Sequence, residues 1–449
     1  MTEPRAEVED VNDRAGDVRR RTVLPFWAGR VVAWTVLAMV LTVFGACLGL
    51  TGLLEWRPAG GDRTPRTQGA GSVPATVGAP TPWTADALES PIGAASVLYT
   101  SNTWFPDGSG WLIGLVGRSD DSYRLSELYG AAGMGTVLSP DGSRLAADEG
   151  IADLVTGRVV RYEGVSAEDE QAEPQAWSPD GRSVAVLVAG WTDHDGLSPD
   201  VRLLLVDAAT GANREIAALR APAALPGWTV AFSPDGSRLA YQNGAAVRVI
   251  TLDGAGVDVP LPAGARLAGK GAWTRDGANL LVVSGAKCDC GTHPVRWTVT
   301  EIAVDAGAPT GRSWSRDGVY ALRVLGWWTS GHPVAVEYTP TVDATVTLFD
   351  DVRGQDDLTS QDMIRTASLV ELGTGAVLLS GDDFGAAGDV ESLDVPDEVL
   401  ASGAVRPGDP PMFDFDLITV VIVVLIGAEV SVLLAFAVSA LVARSRGRR

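Results

Sequence analysis

Cys288, Asp289, Cys290 and His293 form the densest run of redox- and metal-competent side chains in a chain of 449 residues that has only three cysteines and three histidines. Two thiols one residue apart can close on each other in an oxidising compartment, and a Cys288–Cys290 disulfide is the first expectation. The same stretch reads C-x-C-x-x-H, three soft donors that suit zinc or copper, although a structural zinc wants a fourth ligand. Free thiols are the third alternative. A different kind of chemistry is open to Glu429, the single charge in an apolar run near the C-terminus. A carboxyl group in such a run either donates a hydrogen bond between helices or moves protons. Thr42, in an apolar run near the N-terminus, falls at a matching depth and could be its partner. The acidic clusters Glu168-Asp169-Glu170, Asp193-His194-Asp195, Asp350-Asp351 and Asp356-Asp357 sit between β-rich runs and lack the ligand spacing of a calcium loop. Solvated loop charge is the default reading, with calcium in a long insertion at 339–366 as the alternative, so no cofactor is expected. The sequence has no G-x-S-x-G elbow, P-loop, H-E-x-x-H or dinucleotide fingerprint, and the expectation is a protein that is not an enzyme.

The elements that hold these groups begin with two apolar runs. Residues 31–54 carry no charge and 417–443 carry only Glu429. About 20 apolar residues suffice to cross a bilayer, so each predicts a transmembrane helix. Arg19, Arg20, Arg21 and Arg30 precede the first run, and Arg444, Arg446, Arg448 and Arg449 follow the second. An arginine excess marks the cytoplasmic side, which puts both termini in the cytoplasm and residues 55–416 outside. The order is then a cytoplasmic arm (1–30), a helix (31–54), a Pro/Gly-rich tether (55–92), an extracytoplasmic domain (93–400), a linker (401–416), a helix (417–443) and an Arg-rich tail (444–449). The arm is neutral and the tail basic, so the outside segment is more negative than the chain's net −21, which argues against nucleic acid as a partner.

The outside segment repeats itself. Ser139-Pro140-Asp141-Gly142, Ser178-Pro179-Asp180-Gly181 and Ser233-Pro234-Asp235-Gly236 are near-identical, and the last two follow Trp177 and Phe232. Weaker copies are Trp273-Thr274-Arg275-Asp276-Gly277 and Trp314-Ser315-Arg316-Asp317-Gly318, with a degenerate one at 104–108. Ser, Pro, Asp and Gly suit the four positions of a type I turn, and the β-rich run after each turn makes a hairpin. A second turn signal follows in several units, as at Asp153–Gly157, Asp207–Gly211 and Glu371–Gly375. Two hairpins per roughly 40 residues predict a four-stranded antiparallel sheet, the blade of a propeller. The fold class expected is therefore an all-β, six-bladed propeller flanked by two transmembrane α-helices. Counting Trp328–Val336 as a separate copy would give seven blades.

The Ser-Pro-Asp-Gly turn with a preceding aromatic resembles the TolB-like, WD-related propeller repeat of bacterial envelope proteins, over about residues 95–381. The resemblance implies structural roles: Trp177, Phe232, Trp273 and Trp314 pack between blades, and the Asp and Gly that follow shape the turns. It implies no catalytic residue. The expected function is a membrane-anchored binding or scaffold module whose face or channel mouth docks an envelope or membrane protein. A propeller hydrolase or lyase using acidic loop residues, and a sensor that signals through its helices, are the alternatives.

Overall fold

The computed structural model describes residues 71–78, 84–102, 111–118, 120–126, 128, 130–191, 197–220, 224–349, 363–381 and 390–408, with isolated positions near the C-terminus. The chain divides into two units, Trp56–Asp416 and the flanks Met1–Glu55 with Leu417–Arg449. The apolar runs at 31–54 and 417–443, with Thr42 and Glu429, lie outside the described residues except for single positions. So do 104–108, 193–195, 350–351 and 356–357. Among the described residues no helix is long and apolar enough to cross a membrane.

Six four-stranded antiparallel sheets make up the unit 56–416. Blade one runs β5 (Val137–Leu138), β6 (Arg144–Ala147), β7 (Gly150–Asp153) and β8 (Val159–Val160). Blade two is β9 (Glu170–Trp177), β10 (Ser183–Trp191), β11 (Leu197–Asp207) and β12 (Asn213–Arg220). Blade three is β13 (Val230–Phe232), β14 (Arg238–Asn243), β15 (Ala246–Thr251) and β16 (Gly256–Pro260). Blade four is β17 (Ala265–Leu267), β18 (Asn279–Lys287), β19 (Val295–Ala303) and β20 (Pro309–Asp317). Blade five is β21 (Ala321–Trp327), β22 (Pro333–Pro340), β23 (Ile364–Glu371) and β24 (Val377–Leu379). The sixth blade joins the two ends of the unit: β25 (Val390–Asp394) pairs with β2 (Ala95–Asn102), which continues into β3 (Trp111–Gly117) and β4 (Tyr123–Ser126).

Strand β10 shows why the sheets must stack. Successive side chains of a strand point to opposite faces. Val184, Val186 and Val188 join a cluster with Val137, Ala146 and Ile151 of blade one. Ala185, Leu187 and Ala189 join Phe232, Leu239 and Ile250 of blade three. Both faces of one strand are thus covered by different neighbours, at about 1.5–3 kcal/mol per fully buried aliphatic side chain. A lone blade would leave both faces in water.

The repeated turn is built alike in four blades. Gly142 N–H donates to Ser139 O (2.8 Å), Arg144 N–H to Ser139 Oγ (2.9 Å), and Ser139 Oγ–H to Asp141 (2.7 Å). The pattern recurs at Ser178/Asp180/Gly181 and Ser233/Asp235/Gly236. Thr274, Asp276 and Gly277 reproduce it with threonine in the first position.

Two expectations are corrected here. Asp317 and Gly318 do not form the fifth turn. Trp314 and Asp317 lie on β20, the outermost strand of blade four, where Trp314 pairs with Val299 and Asp317 with Arg296. The turn of blade five is instead Trp328–Gly331, closed by Gly331 N–H on Trp328 O (2.9 Å). The residues that suggested a seventh blade therefore complete the fifth, because Gly318 and Gly331 are too close together for four strands between them.

The tether and linker boundaries also move. Val73 and Val77 are buried, and β1 (Val73–Pro74) pairs in parallel with β26 (Val405–Arg406), so residues 71–78 and 405–406 belong to the fold. Arg406 holds this junction through Asp121 (3.2 Å), Ser72, Gly117 O (3.0 Å) and Asp120 O (3.1 Å). Before it comes α1 (Asp397–Ser402), ended by Gly403 in the left-handed conformation.

Candidate functional site

In five blades the residue just before the first turn holds an equivalent position. Leu138, Trp177, Phe232, Trp273 and Trp327 occupy that position in blades one to five, and together they line a cavity of about 540 Å³. The second residues of the turns, Pro179, Pro234, Arg275 and Thr329, add to its rim. Blade six has no such turn, because its first two strands come from opposite ends of the unit. Helix α1 fills that sector and contributes Asp397, Leu400 and Ala401. The repeat thus makes a funnel of five like residues and one helix at the turn-bearing face of the ring.

The aromatic wall is fixed in place by the blades behind it. Trp177 Nε1–H donates to Val137 O of the preceding blade (3.2 Å), and Trp273 Nε1–H does the same to Ala231 O (3.1 Å). Trp327 Nε1–H reaches Trp273 O (2.7 Å). Arg238 lies over the Trp273 ring, 4.5 Å from its centre, a favourable cation–π arrangement. Trp314, expected to pack between blades, lies on the outer strand of blade four and meets Trp327 of blade five edge-on at 6.2 Å.

The funnel's polar groups escape a reading of the repeat. Lys270 Nζ is 2.7 Å from Asp394 Oδ1 and donates to Val395 O (2.8 Å). Asp394 is fully buried and also accepts Leu138 N–H (2.9 Å), so it ties the closing strand to blade one. Asp397 lines the cavity, and desolvation there raises its pKa. Lys270 pulls that value down, while Asp394 and Glu398 push it up. Glu398 in turn pairs with Arg118 (2.6 Å), whose guanidinium also donates to Asp141 O. Lys270 is one of only two lysines in the chain, the other being Lys287, and no motif marks it.

Further along β21 from the mouth, Arg323 lies buried across the ring. It donates to Tyr338 Oη (3.1 Å), to Leu393 O (2.6 Å) and to Ala132 O (3.4 Å). Gly133 and Gly227 leave the space it occupies, since a Cβ at either would strike its side chain. A cation buried among carbonyls bonds blade five to blade six. It came from a β-rich run with no marker of its own.

The turn aspartates serve the backbone. Asp235 is held down to about 2 from an ordinary 3.8 by the Ser233 hydroxyl, then by the Ser237 N–H and hydroxyl. Asp180 and Asp276 are lowered in the same way, first by the Ser178 and Thr274 hydroxyls. For Asp141, burial acts upward but is outweighed by bonds from Ser143 and Ser139. Their oxygens are spent on the turns.

The cysteine loop connects β18 to β19. Cys288 and Cys290 form a disulfide with their Cα atoms 5.3 Å apart. His293 is 5% exposed, its Nε2 has no hydrogen-bond partner, and burial lowers its pKa. Its ring is not grouped with the sulfurs. Asp317 is: a carboxylate oxygen and both sulfurs lie within 4.8 Å of one another.

No protein-family profile matches the chain, and no curated protein matches it in sequence. Solved structures similar to it include TolB from Acinetobacter baumannii, at 13% identity and a TM-score of 0.40, over 67% of this chain and 66% of that one. The chain thus spans just under two thirds of that protein. Others are a putative TolB from Agrobacterium tumefaciens (16%, 0.37, over 64% and 88%) and the Cps50 (Swd1) β-propeller domain of Myceliophteria thermophila (15%, 0.33, over 56% and 86%). Six four-stranded blades, the last of them closed by β25 against β2, make the unit 56–416 an all-β, six-bladed propeller.

Proposed function

We propose that the protein is a non-enzymatic, membrane-anchored binding module of the bacterial envelope, which docks a loop or terminal segment of a partner protein in the aromatic funnel. The observation that carries this reading is the convergence of Leu138, Trp177, Phe232, Trp273 and Trp327 with α1 on one cavity. Its volume falls in the ~300–1,000 Å³ range of recognition pockets. Large aromatic side chains that are already fixed give contact area with little further entropy cost, which is why they dominate binding hot spots. The polar groups in the funnel support a structural role for themselves: Lys270 and Asp394 neutralise each other and hold the closing strand. The anchor rests on the apolar runs 31–54 and 417–443, and their arginine flanks support a location of the propeller outside the cell.

A photo-crosslinking residue at Ala401, on the exposed side of α1 facing the cavity, tests this in native membranes. One dominant protein adduct is expected, and none from the same residue at Val257 on the outer edge strand β16. Equal labelling from both positions, or no adduct at Ala401, contradicts the reading.

A further inference from the structure

We infer that Cys288, Cys290 and Asp317 form a metal site that opens when their disulfide is reduced. The two sulfurs and an Asp317 oxygen already cluster within 4.8 Å. In a tetrahedral zinc site the ligand atoms stand roughly 3.5–3.8 Å apart, given Zn–S distances of ~2.3 Å. Opening the S–S bond therefore brings the three donors to that spacing with little movement of the backbone. The carboxylate is held where it is needed. Arg296 grips both oxygens of Asp317 (2.6 and 2.8 Å), and each oxygen retains a lone pair for a metal. Gly318 N–H bonds Val295 O (2.8 Å), which fastens the end of β20 to the base of the cysteine loop.

Asp317 sits opposite Arg296 on the neighbouring strand. It carries the repeat's sequence but has left the turn, and it stands beside the only cysteine pair among the described residues. Asp289 and the chain's net charge of −21 favour a cation over a second negative thiolate. Two thiolates with a carboxylate suit zinc, a borderline-soft ion. The fourth position falls to water or to His293, which is buried in the same loop with Nε2 unpaired but stands outside the cluster of the three donors.

The chemistry balances. A dithiol reductant gives two electrons and two protons to the S–S bond and ends as a disulfide itself. Zinc then displaces the protons of both thiols. Oxidised and metal-loaded loops are thus exclusive states of one site, and zinc protects the reduced pair.

The test uses the full-length protein in detergent with Cys47→Ser, which removes the third thiol. Zinc is titrated before and after reduction with a phosphine, and cobalt(II) reports thiolate ligation by its charge-transfer absorption. About one zinc per chain is expected after reduction and none before. Asp317→Asn should weaken binding about tenfold or more, and Cys288→Ser or Cys290→Ser should abolish the charge-transfer band with circular dichroism unchanged. Loss of affinity in His293→Ala identifies the fourth ligand; no loss there assigns that position to water. Equal zinc binding before and after reduction, or binding that survives Cys288→Ser, overturns the proposal.

Discussion

Leu393 pairs with Tyr99 across the seam of the sixth blade, so a strand from the far end of the unit completes a sheet begun near its start. Both residues are fully buried. Large-to-small changes in such a position cost about 2–5 kcal/mol, and Leu393→Ala should therefore lower stability as much as Leu98→Ala on the neighbouring strand. Urea unfolding of the purified protein measures both. A cost below about 0.5 kcal/mol for Leu393→Ala would mean that the ring does not depend on its last long strand.

The turn glycines should differ in tolerance although their sequences are alike. Gly142 and Gly236 both have positive φ, 72° and 69°. A Cβ at Gly142 would run into Ala95 O of the closing blade, whereas at Gly236 the nearest atom is Pro179 Cδ at 3.5 Å. Gly236→Ala should cost about 1–2 kcal/mol, the left-handed penalty alone. Gly142→Ala should cost at least twice as much. Equal costs would show that the first blade does not press on the sixth at this turn.

Trp273→Phe keeps a ring in the funnel wall and removes one hydrogen bond. Ala231 O would then be left without the indole donor, at a cost of about 1–3 kcal/mol. Phe232 fills the equivalent position in blade three, so the variant should fold. A thermal shift indistinguishable from wild type would show that the indole N–H does not couple blades three and four.

The turn aspartates make stability depend on acid. Asp235 titrates at about 2 when folded against an ordinary 3.8. A carboxylate whose pKa is depressed by folding stabilises above its unfolded value, and that contribution is lost as pH falls through the folded one. The loss should therefore fall between about pH 4 and pH 2, and Asp235→Asn should flatten the melting temperature across that window. An unchanged slope would mean that the Ser233 and Ser237 hydrogen bonds do not favour the ionised form.

How much of this was legible in the sequence follows from how the turns work. Ser-Pro-Asp-Gly encodes its own geometry, so blades one to three could be read directly from local chemistry. The fifth turn could not. Trp328-Thr329-Ser330-Gly331 keeps the closing bond and the glycine but drops the aspartate, while Trp314–Gly318 keeps the letters and becomes an edge strand. Pairing with β19 decided the matter, and pairing is a tertiary property. Of the funnel, only the aromatic residues that precede the turns, Trp177, Phe232 and Trp273, could be read. Lys270, Asp394 and Arg323 became visible once distant segments met, because a buried ion pair or a cation on carbonyls has no local periodicity. The pairing of β1 with β26 was hidden for the same reason, since the partners are two residues long and lie at opposite ends of the unit.

Ala401→Arg places a long cation in the mouth of the funnel from the exposed side of α1, while Val257→Arg places the same group on an outer edge strand. Quantitative mass spectrometry of proteins that co-purify from native membranes, with melting temperatures as the control for folding, compares the two. The docking account predicts that one partner is lost from Ala401→Arg and retained by Val257→Arg, with both variants as stable as wild type. Retention of every co-purifying protein by Ala401→Arg would contradict it.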